Sequence, residues 1–421
     1  MKRLLPVFVL LALVATPDLR ADTVLFTKAF APTEFSARRA KVMAAIGDGV
    51  AVISGATETS TYTKFRQGAQ FFYLSGVEVP RAILVIDGRA KSFGDAVKTF
   101  AGRTLYMPFR EESLGAGTPD RIRSHATATA ADPWDQRVSK EIVFRDKVAA
   151  AAGGAVATDL DPIVDAMRMV KSPAEIAVLR EGTRIAGLGI LEAMKHAKPG
   201  VHEYELEAAA DYIFKKNNAQ GIAYFALVAT GTNSFWSHYH QAQNTLKNGD
   251  LVLMDYAPDY MYYNTDVTRM FPATGVFTPR QRELYGIYAE LYSALLSSIR
   301  PGPAAAGLAE AHRKMTAIMS TFTFNDAAVK AAAARFVDGY ARARNSYGHM
   351  IGMEVHDVSV NFDGIYTPGM AFTIEPALTI PEERVYVRLE DPVVITATGF
   401  EHLSKSLPFD IATIEKLMKK Q

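Results

Sequence analysis

The sequence predicts two folded domains behind a short leader: an α/β domain over residues 22–168 and an α+β domain over residues 169–421. Three observations predict this. Strand-like and helix-like stretches alternate over the first 150 or so residues, the pattern of a compact α/β unit. Lys171-Ser172-Pro173-Ala174-Glu175 is a complete helix start: Ser172 is the N-cap, Pro173 the first helical residue, and Glu175 is placed to close a capping box. Beyond it, helices followed by strands occur twice, which hints at two similar halves without an obvious sequence repeat.

A length of 421 residues fits two or three domains, and a hydrophobic content of 49% suffices for sizeable cores. The formal net charge of +1 gives no support to nucleic-acid or anionic-membrane binding, which need a basic surplus or cluster. No internal run is long and apolar enough to span a bilayer. Lys2-Arg3, the apolar run Leu4–Val14, and then Thr16, Pro17 and Ala21 form a secretory signal pattern over residues 1–21, with the cut near Ala21. The expectation is an exported protein, periplasmic or secreted, free of the membrane once the leader is removed. There is no cysteine, which excludes disulfides and thiol chemistry.

In order, Thr33 to Gly49 reads as a helix with Phe35, Ala40, Met43 and Ile46 on one face. Val50–Ser54 and Ala82–Asp87 read as buried strands, Gln70–Gly76 as an aromatic strand closed by Gly76, and Leu105–Met107 as another short strand. Gly153-Gly154 and Asp159–Pro162 mark a loop-rich zone. Helices are then expected from Ser172 to Ala197 and over Glu203–Asn218. Strands follow over Phe225–Thr230, near His238, and in two arms, Leu251–Met254 and Val267–Phe271. The pattern restarts with helices over Gln281–Arg300, Leu308–Met319 and Ala327–Arg344. Strands over Met350–Glu354, Ala371–Glu375, Val385–Glu390 and Val393–Thr396 close the chain.

Asp255 ends one of those two arms and Asp266 opens the other, 11 residues later. A carboxylate buried beside a strand is costly unless it is paired or bound to metal; solvated strand ends are the plain alternative. Three more residues share these features. His349 follows Gly348, Glu375 ends the apolar run Ala371–Ile374, and Glu390 lies on a strand whose alternation puts Tyr386, Arg388 and Glu390 on one face. Singly, each reads as structural, and Arg388 with Glu390 reads as a surface ion pair. Together they are oxygen-rich with one nitrogen and no sulfur, which suits two hard or borderline divalent cations such as Mn²⁺. Two such ions about 3.5–4 Å apart can activate a water near neutral pH.

These residues and the words around them resemble the pita-bread metallopeptidases, and within them the aminopeptidase P and prolidase branch. The words are Asp266-Val267-Thr268-Arg269, Gly348-His349 leading to His356-Asp357, Glu375-Pro376 and Arg388-Leu389-Glu390-Asp391. Phe65-Arg66-Gln67 through Tyr73-Leu74-Ser75-Gly76 resembles the N-terminal domain of aminopeptidase P and creatinase. The resemblance implies a dinuclear centre held by Asp255, Asp266, His349, Glu375 and Glu390, with Mn²⁺ as the metal and Zn²⁺ or Co²⁺ as substitutes. It implies hydrolysis of the bond before proline at a peptide N-terminus. Glu375 would move the proton, His356 and His238 would hydrogen-bond the carbonyl oxygen or line the substrate site, and Arg388 would orient carboxylates or meet the substrate. Trp236 and Tyr239 are candidate walls for the proline ring. It also implies a homodimer or homotetramer. Alternatives are a prolidase restricted to Xaa-Pro dipeptides and a divergent non-peptidase, either a binding module or a creatinase-like hydrolase. Two departures stand out. The family histidine four residues before the metal histidine is Asn345 here, and Tyr256 after the first aspartate is expected to narrow the pocket.

Overall fold

The computed structural model describes residues 29–56, 64–90, 103–108, 140–154, 156–343, 345–359 and 362–419. The leader and His125 lie outside the described residues. The N-terminal region is built on a four-stranded sheet. Its order is Ile83–Asp87, Val50–Ser54, Leu105–Met107, Ala157–Asp159, the first pair antiparallel and the next two parallel. The helix Pro32–Ile46 packs on it through Phe35, Arg38, Val42 and Ile46, a face shifted from the expected one because Arg38 is drawn in. Its guanidinium lies over the Tyr73 ring and reaches Tyr73 O and Glu175. Ile83–Asp87 is exposed on one face, unlike the buried strand expected.

Two expectations fail here for a physical reason. Gln70–Gly76 is a helix, Ala69–Ser75, rather than a strand. Phe71, Phe72, Tyr73 and Leu74 are all buried, so neither period shows in the sequence. Gly76 ends it as a left-handed cap (φ 68), donating to Phe72 O, and a Cβ there would strike the Phe35 ring. The loop-rich zone is also more regular than expected: it holds the strand Ala157–Asp159 and the helix Asp161–Met169, after the helix Lys140–Ala151.

The capping box at Ser172 forms as read, Ser172 accepting from Glu175 N and Glu175 from Ser172 N, and starts the helix Pro173–His196. The helix Glu203–Lys216 follows. Next comes an antiparallel sheet of Thr268–Pro272, Leu251–Asp255 and Leu227–Thr230. The helices Pro279–Leu296, Ala304–Thr321 and Ala327–Arg342 open the second half. Its strands are Ala371–Ile374, Asp391–Ile395 and Phe400–His402 in one sheet, with the hairpin Ala377–Ile380/Val385–Arg388 beside it. The α/β and α+β expectations therefore hold. Met350–Glu354 is not a strand: Met350 makes only a bridge to Phe372. A bridge between Thr268 and Glu390 joins the two halves, and one continuous apolar core runs beneath both. A second core mixes the N-terminal Phe30, Phe35 and Phe72 with Tyr262, Tyr263 and Ile351 of the α+β region.

Candidate metal centre

The seam between the two half-sheets is where the carboxylates meet. Asp255 ends its strand opposite Thr268, and Thr268 bridges in turn to Glu390. Asp266 stands two residues before the strand Thr268–Pro272. Glu375 sits between the strands Ala371–Ile374 and Ala377–Ile380, and Arg388 ends the strand paired with the latter. His349 is placed by Thr373 N donating to its carbonyl at 2.9 Å. The preceding Gly348 permits that approach, since a Cβ would lie 2.0 Å from Thr373 O.

Ligand atoms of these residues fall into three overlapping triads, each within 4.8 Å: Asp266, His349 and His356; His349, Glu375 and Glu390; Asp255, Asp266 and Glu390. His349 Nε2 lies 3.4 Å from Glu375, 3.6 Å from Asp266 and 3.7 Å from Glu390. Its Nδ1 meets Met350 O at 3.2 Å. A carbonyl only accepts, so Nδ1 carries a proton and Nε2 is the ring nitrogen left to face the carboxylates. Nε2 and Glu390 Oε1 are both buried without a hydrogen-bond partner among the described residues. Among the described residues, four carboxylates here face Arg388 and His349 as the cations in contact with them. Even with His349 protonated, two negative charges remain. A buried ring nitrogen without a hydrogen-bond partner, an orphaned carboxylate oxygen and this charge surplus fit divalent cations.

The electrostatics carry the same signature. Burial, then Glu390 and Asp255, push the Asp266 carboxyl well above its ordinary range. Burial and then Glu390 push Glu375 up to about 7, against Arg388. Burial opposes charge on Glu390 too, yet His349 and Arg388 outweigh it and hold that group low. Arg388 contacts Asp255 through Nη2 and Glu375 through Nη1 at 3.3 Å. The surface Arg388–Glu390 pair is therefore not what forms; both are buried. Val387 and Leu389 face the core as alternation requires.

His356 stacks on His349 with ring centroids 3.9 Å apart. His238 is not brought into the triads. The strand expected around it is absent; it is exposed in a turn after the 3-10 segment Gly231–Phe235, with φ 61. That segment packs on the strand Val385–Arg388, so His238 follows an element bordering the site. Tyr239 is not a free wall, because its hydroxyl donates to Glu203 at 2.9 Å, whereas Trp236 is exposed. Tyr256 does not narrow the pocket: its hydroxyl donates to Asp211 and its ring lies on Phe214. Asn345 is exposed.

Sequence reasoning gave no role to several residues that contact the candidate ligands. Buried Tyr224 places its hydroxyl 2.6 Å from both Asp255 and Asp266. Thr268 Oγ1 donates to Glu390 at 2.8 Å. Behind Glu390, fully buried Arg269 donates to the carbonyls of Thr268 and Glu390 and to Asp391, which also accepts from Tyr292 and Ser404 and lies against His402. Arg168 and Lys171 pair with buried Asp357, next to His356. An arginine and an aspartate flanking ligand positions were a readable signal; the hydroxyls were not.

Comparison with known proteins places this geometry. The description "Metallopeptidase family M24" matches residues 177–397, and "Aminopeptidase P, N-terminal domain" matches residues 35–113. The chain belongs to metallopeptidase family M24 and is a metalloaminopeptidase-type hydrolase; the family implies divalent metal ions. Within the family, its two-part architecture is that of aminopeptidase P. It is 30% identical to the Xaa-Pro aminopeptidase of Escherichia coli K12, over 91% of this chain and 97% of that one. The Xaa-Pro dipeptidase of Pyrococcus horikoshii is also 30% identical, over 59% of this chain and 66% of its own. Among solved structures, proline aminopeptidase P II from Yersinia pestis superposes with TM-score 0.70 at 28% identity, covering 93% of this chain and 100% of that one. Zinc-substituted E. coli aminopeptidase P in complex with product gives 0.70 at 26%, over 93% and 98%.

Proposed function

We propose that this protein hydrolyses Xaa-Pro bonds at the N-terminus of peptides, using two divalent metal ions held by Asp255, Asp266, His349, Glu375 and Glu390. The observation that carries it is the set of three interlocking triads at the seam, with an unpaired imidazole nitrogen facing carboxylates. The aminopeptidase-type relative aligns over 91% of the chain and the dipeptidase-type one over 59%, which favours the aminopeptidase over a dipeptide-restricted prolidase.

The ions would polarise the scissile carbonyl and acidify the attacking water. The chain does the rest. Glu375 is half-buried and pushed up to about 7, which suits a group that takes a proton from the water and gives it to the leaving prolyl nitrogen. His356, beside His349, donates to the oxygen on which charge develops. Arg388 keeps Asp255 and Glu375 aligned and excludes their rotation. His238 meets the peptide from the rim. Proline has a fixed φ and no N–H, so the site can select it by shape without satisfying a donor there.

Three finer readings accompany this one. Mn²⁺ is the working metal, tested by comparing activity after reconstitution with Mn²⁺, Zn²⁺ or Co²⁺. The active form is a homodimer or homotetramer, tested by light scattering. The chain is exported, tested by sequencing the N-terminus of the mature protein for a start near Ala21. The central test is cleavage of Xaa-Pro-Yaa and longer Xaa-Pro peptides. Cleavage of the Xaa-Pro dipeptide alone would make the protein a prolidase, and loaded enzyme inert on all three would favour a non-peptidase member.

A further inference from the structure

Glu203 is the first residue of the helix Glu203–Lys216 and is fully buried, in a position no step above uses. A buried carboxylate is costly unless both oxygens are satisfied. Here Oε1 accepts from Thr230 N at 2.7 Å, Thr230 Oγ1 at 2.8 Å and Asn233 Nδ2 at 3.4 Å. Oε2 accepts from the Tyr239 hydroxyl and Asn244 N, both at 2.9 Å. The backbone adds Glu203 N to Asn244 O at 2.9 Å and Tyr204 N to Ala242 O at 3.0 Å. One side chain thus ties down the start, middle and end of the segment 230–244.

Between those ties the chain turns outward. Trp236 and His238 are exposed, and His238 and Ala242 hold left-handed backbone, φ 61 and 51, although neither is glycine. Such conformations persist only where the surroundings impose them. The 3-10 turn at the start of the segment packs on the strand that ends in Arg388. Glu203 is therefore connected to the rim of the metal centre through a short loop that it ties at Thr230, Asn233, Tyr239 and Asn244.

We propose that Glu203 is a positioning residue for peptide binding: it fixes the stretch carrying Trp236 and His238 at the rim, and so sets substrate affinity rather than the chemical step. This rests on the Xaa-Pro peptidase reading, and two readouts separate the failure of one from the failure of the other. Glu203→Gln keeps the shape but removes the charge and leaves one acceptor oxygen for donors on both sides. It is expected to raise KM for an Xaa-Pro-Yaa tripeptide about tenfold while kcat stays within about threefold and metal content is unchanged. Tyr239→Phe removes one donor in the middle of the segment; it should shift KM the same way by less, and it keeps the test available if Glu203→Gln does not fold. The second readout needs no activity. The chain has two tryptophans, Trp134 and Trp236. In a Trp134→Phe background, the fluorescence anisotropy of Trp236 should fall in both variants. A lower Tm with KM and anisotropy unchanged would show a purely stabilising role and overturn the proposal. If the parent enzyme cleaves no Xaa-Pro peptide, the functional reading falls, and the anisotropy alone decides whether Glu203 holds the segment.

Discussion

Glu375 differs from the other three carboxylates in being reachable. Asp255, Asp266 and Glu390 are buried, while Glu375 keeps part of its surface open at the seam. A proton carrier must touch both solvent-derived water and the leaving group, so this is the position that can move protons. Glu375→Gln should therefore lower kcat by about 10²–10⁴-fold in a peptide hydrolysis assay, and near wild-type turnover would remove the role. Asp357 shows a different use of charge. Burial works against its ionisation, but Arg168 and then Lys171 outweigh it and hold its carboxyl below the ordinary value. A depressed folded-state pKa stabilises the fold above the unfolded value near 3.9, and the stabilisation is lost as pH falls through the folded one. Asp357→Asn removes the negative charge that buried Arg168 and Lys171 share, and urea unfolding at pH 7 should show a loss of about 3–5 kcal/mol. The gap to wild type should narrow below about pH 4; a gap independent of pH would mean the ion pairs contribute nothing.

At the scale of elements, the candidate ligand carboxylates sit where strands start or stop. Gly348 shows how tightly that is set, because its backbone runs against Thr373, whose N–H holds the His349 carbonyl. Gly348→Ala should cost about 1–3 kcal/mol in denaturant unfolding, since backbone atoms cannot yield as a flexible side chain does. Metal affinity measured by titration should weaken about 10–100-fold as His349 shifts. Unchanged affinity would show that His349 is not held from this side. The same strand ends explain what was readable in the sequence. Asp255 and Glu375 each close an apolar β-prone run, Glu390 shares one face of an alternating run with Tyr386 and Arg388, and the capping box at Ser172 announces the helix that follows. The helix Ala69–Ser75 was hidden because all its central side chains are buried, so its pattern fits either period. The turn at His238 was hidden because left-handed backbone at a histidine has no sequence mark. Tyr224 and Thr268 were invisible as site residues because their partners are 31 and 122 residues away.

At the scale of the whole molecule, the two halves of the α+β region share one core but meet in polar chemistry at the Thr268–Glu390 bridge. The N-terminal region is locked to this body by Tyr262, whose ring stacks on Phe72 at 3.8 Å while its hydroxyl reaches Glu78 and Gln67. Arg66 adds an ion pair with Asp259 across the same junction. A fold whose seam gathers four carboxylates should gain stability from cations that bind only the folded form. At 100 times the dissociation constant, a single ion adds about 2.7 kcal/mol. Calorimetry before and after chelation should show a lower Tm without metal, restored on adding Mn²⁺; an unchanged Tm would argue against a metal centre.

The most direct measurement is Mn²⁺-dependent cleavage of an Xaa-Pro dipeptide, an Xaa-Pro-Yaa tripeptide and a longer Xaa-Pro peptide, with Asp266→Ala as control. The account predicts release of the N-terminal residue from the tripeptide and the longer peptide, lost on chelation and in the variant. Metal-loaded wild type that leaves all three intact, or cleavage that survives in Asp266→Ala, would contradict it.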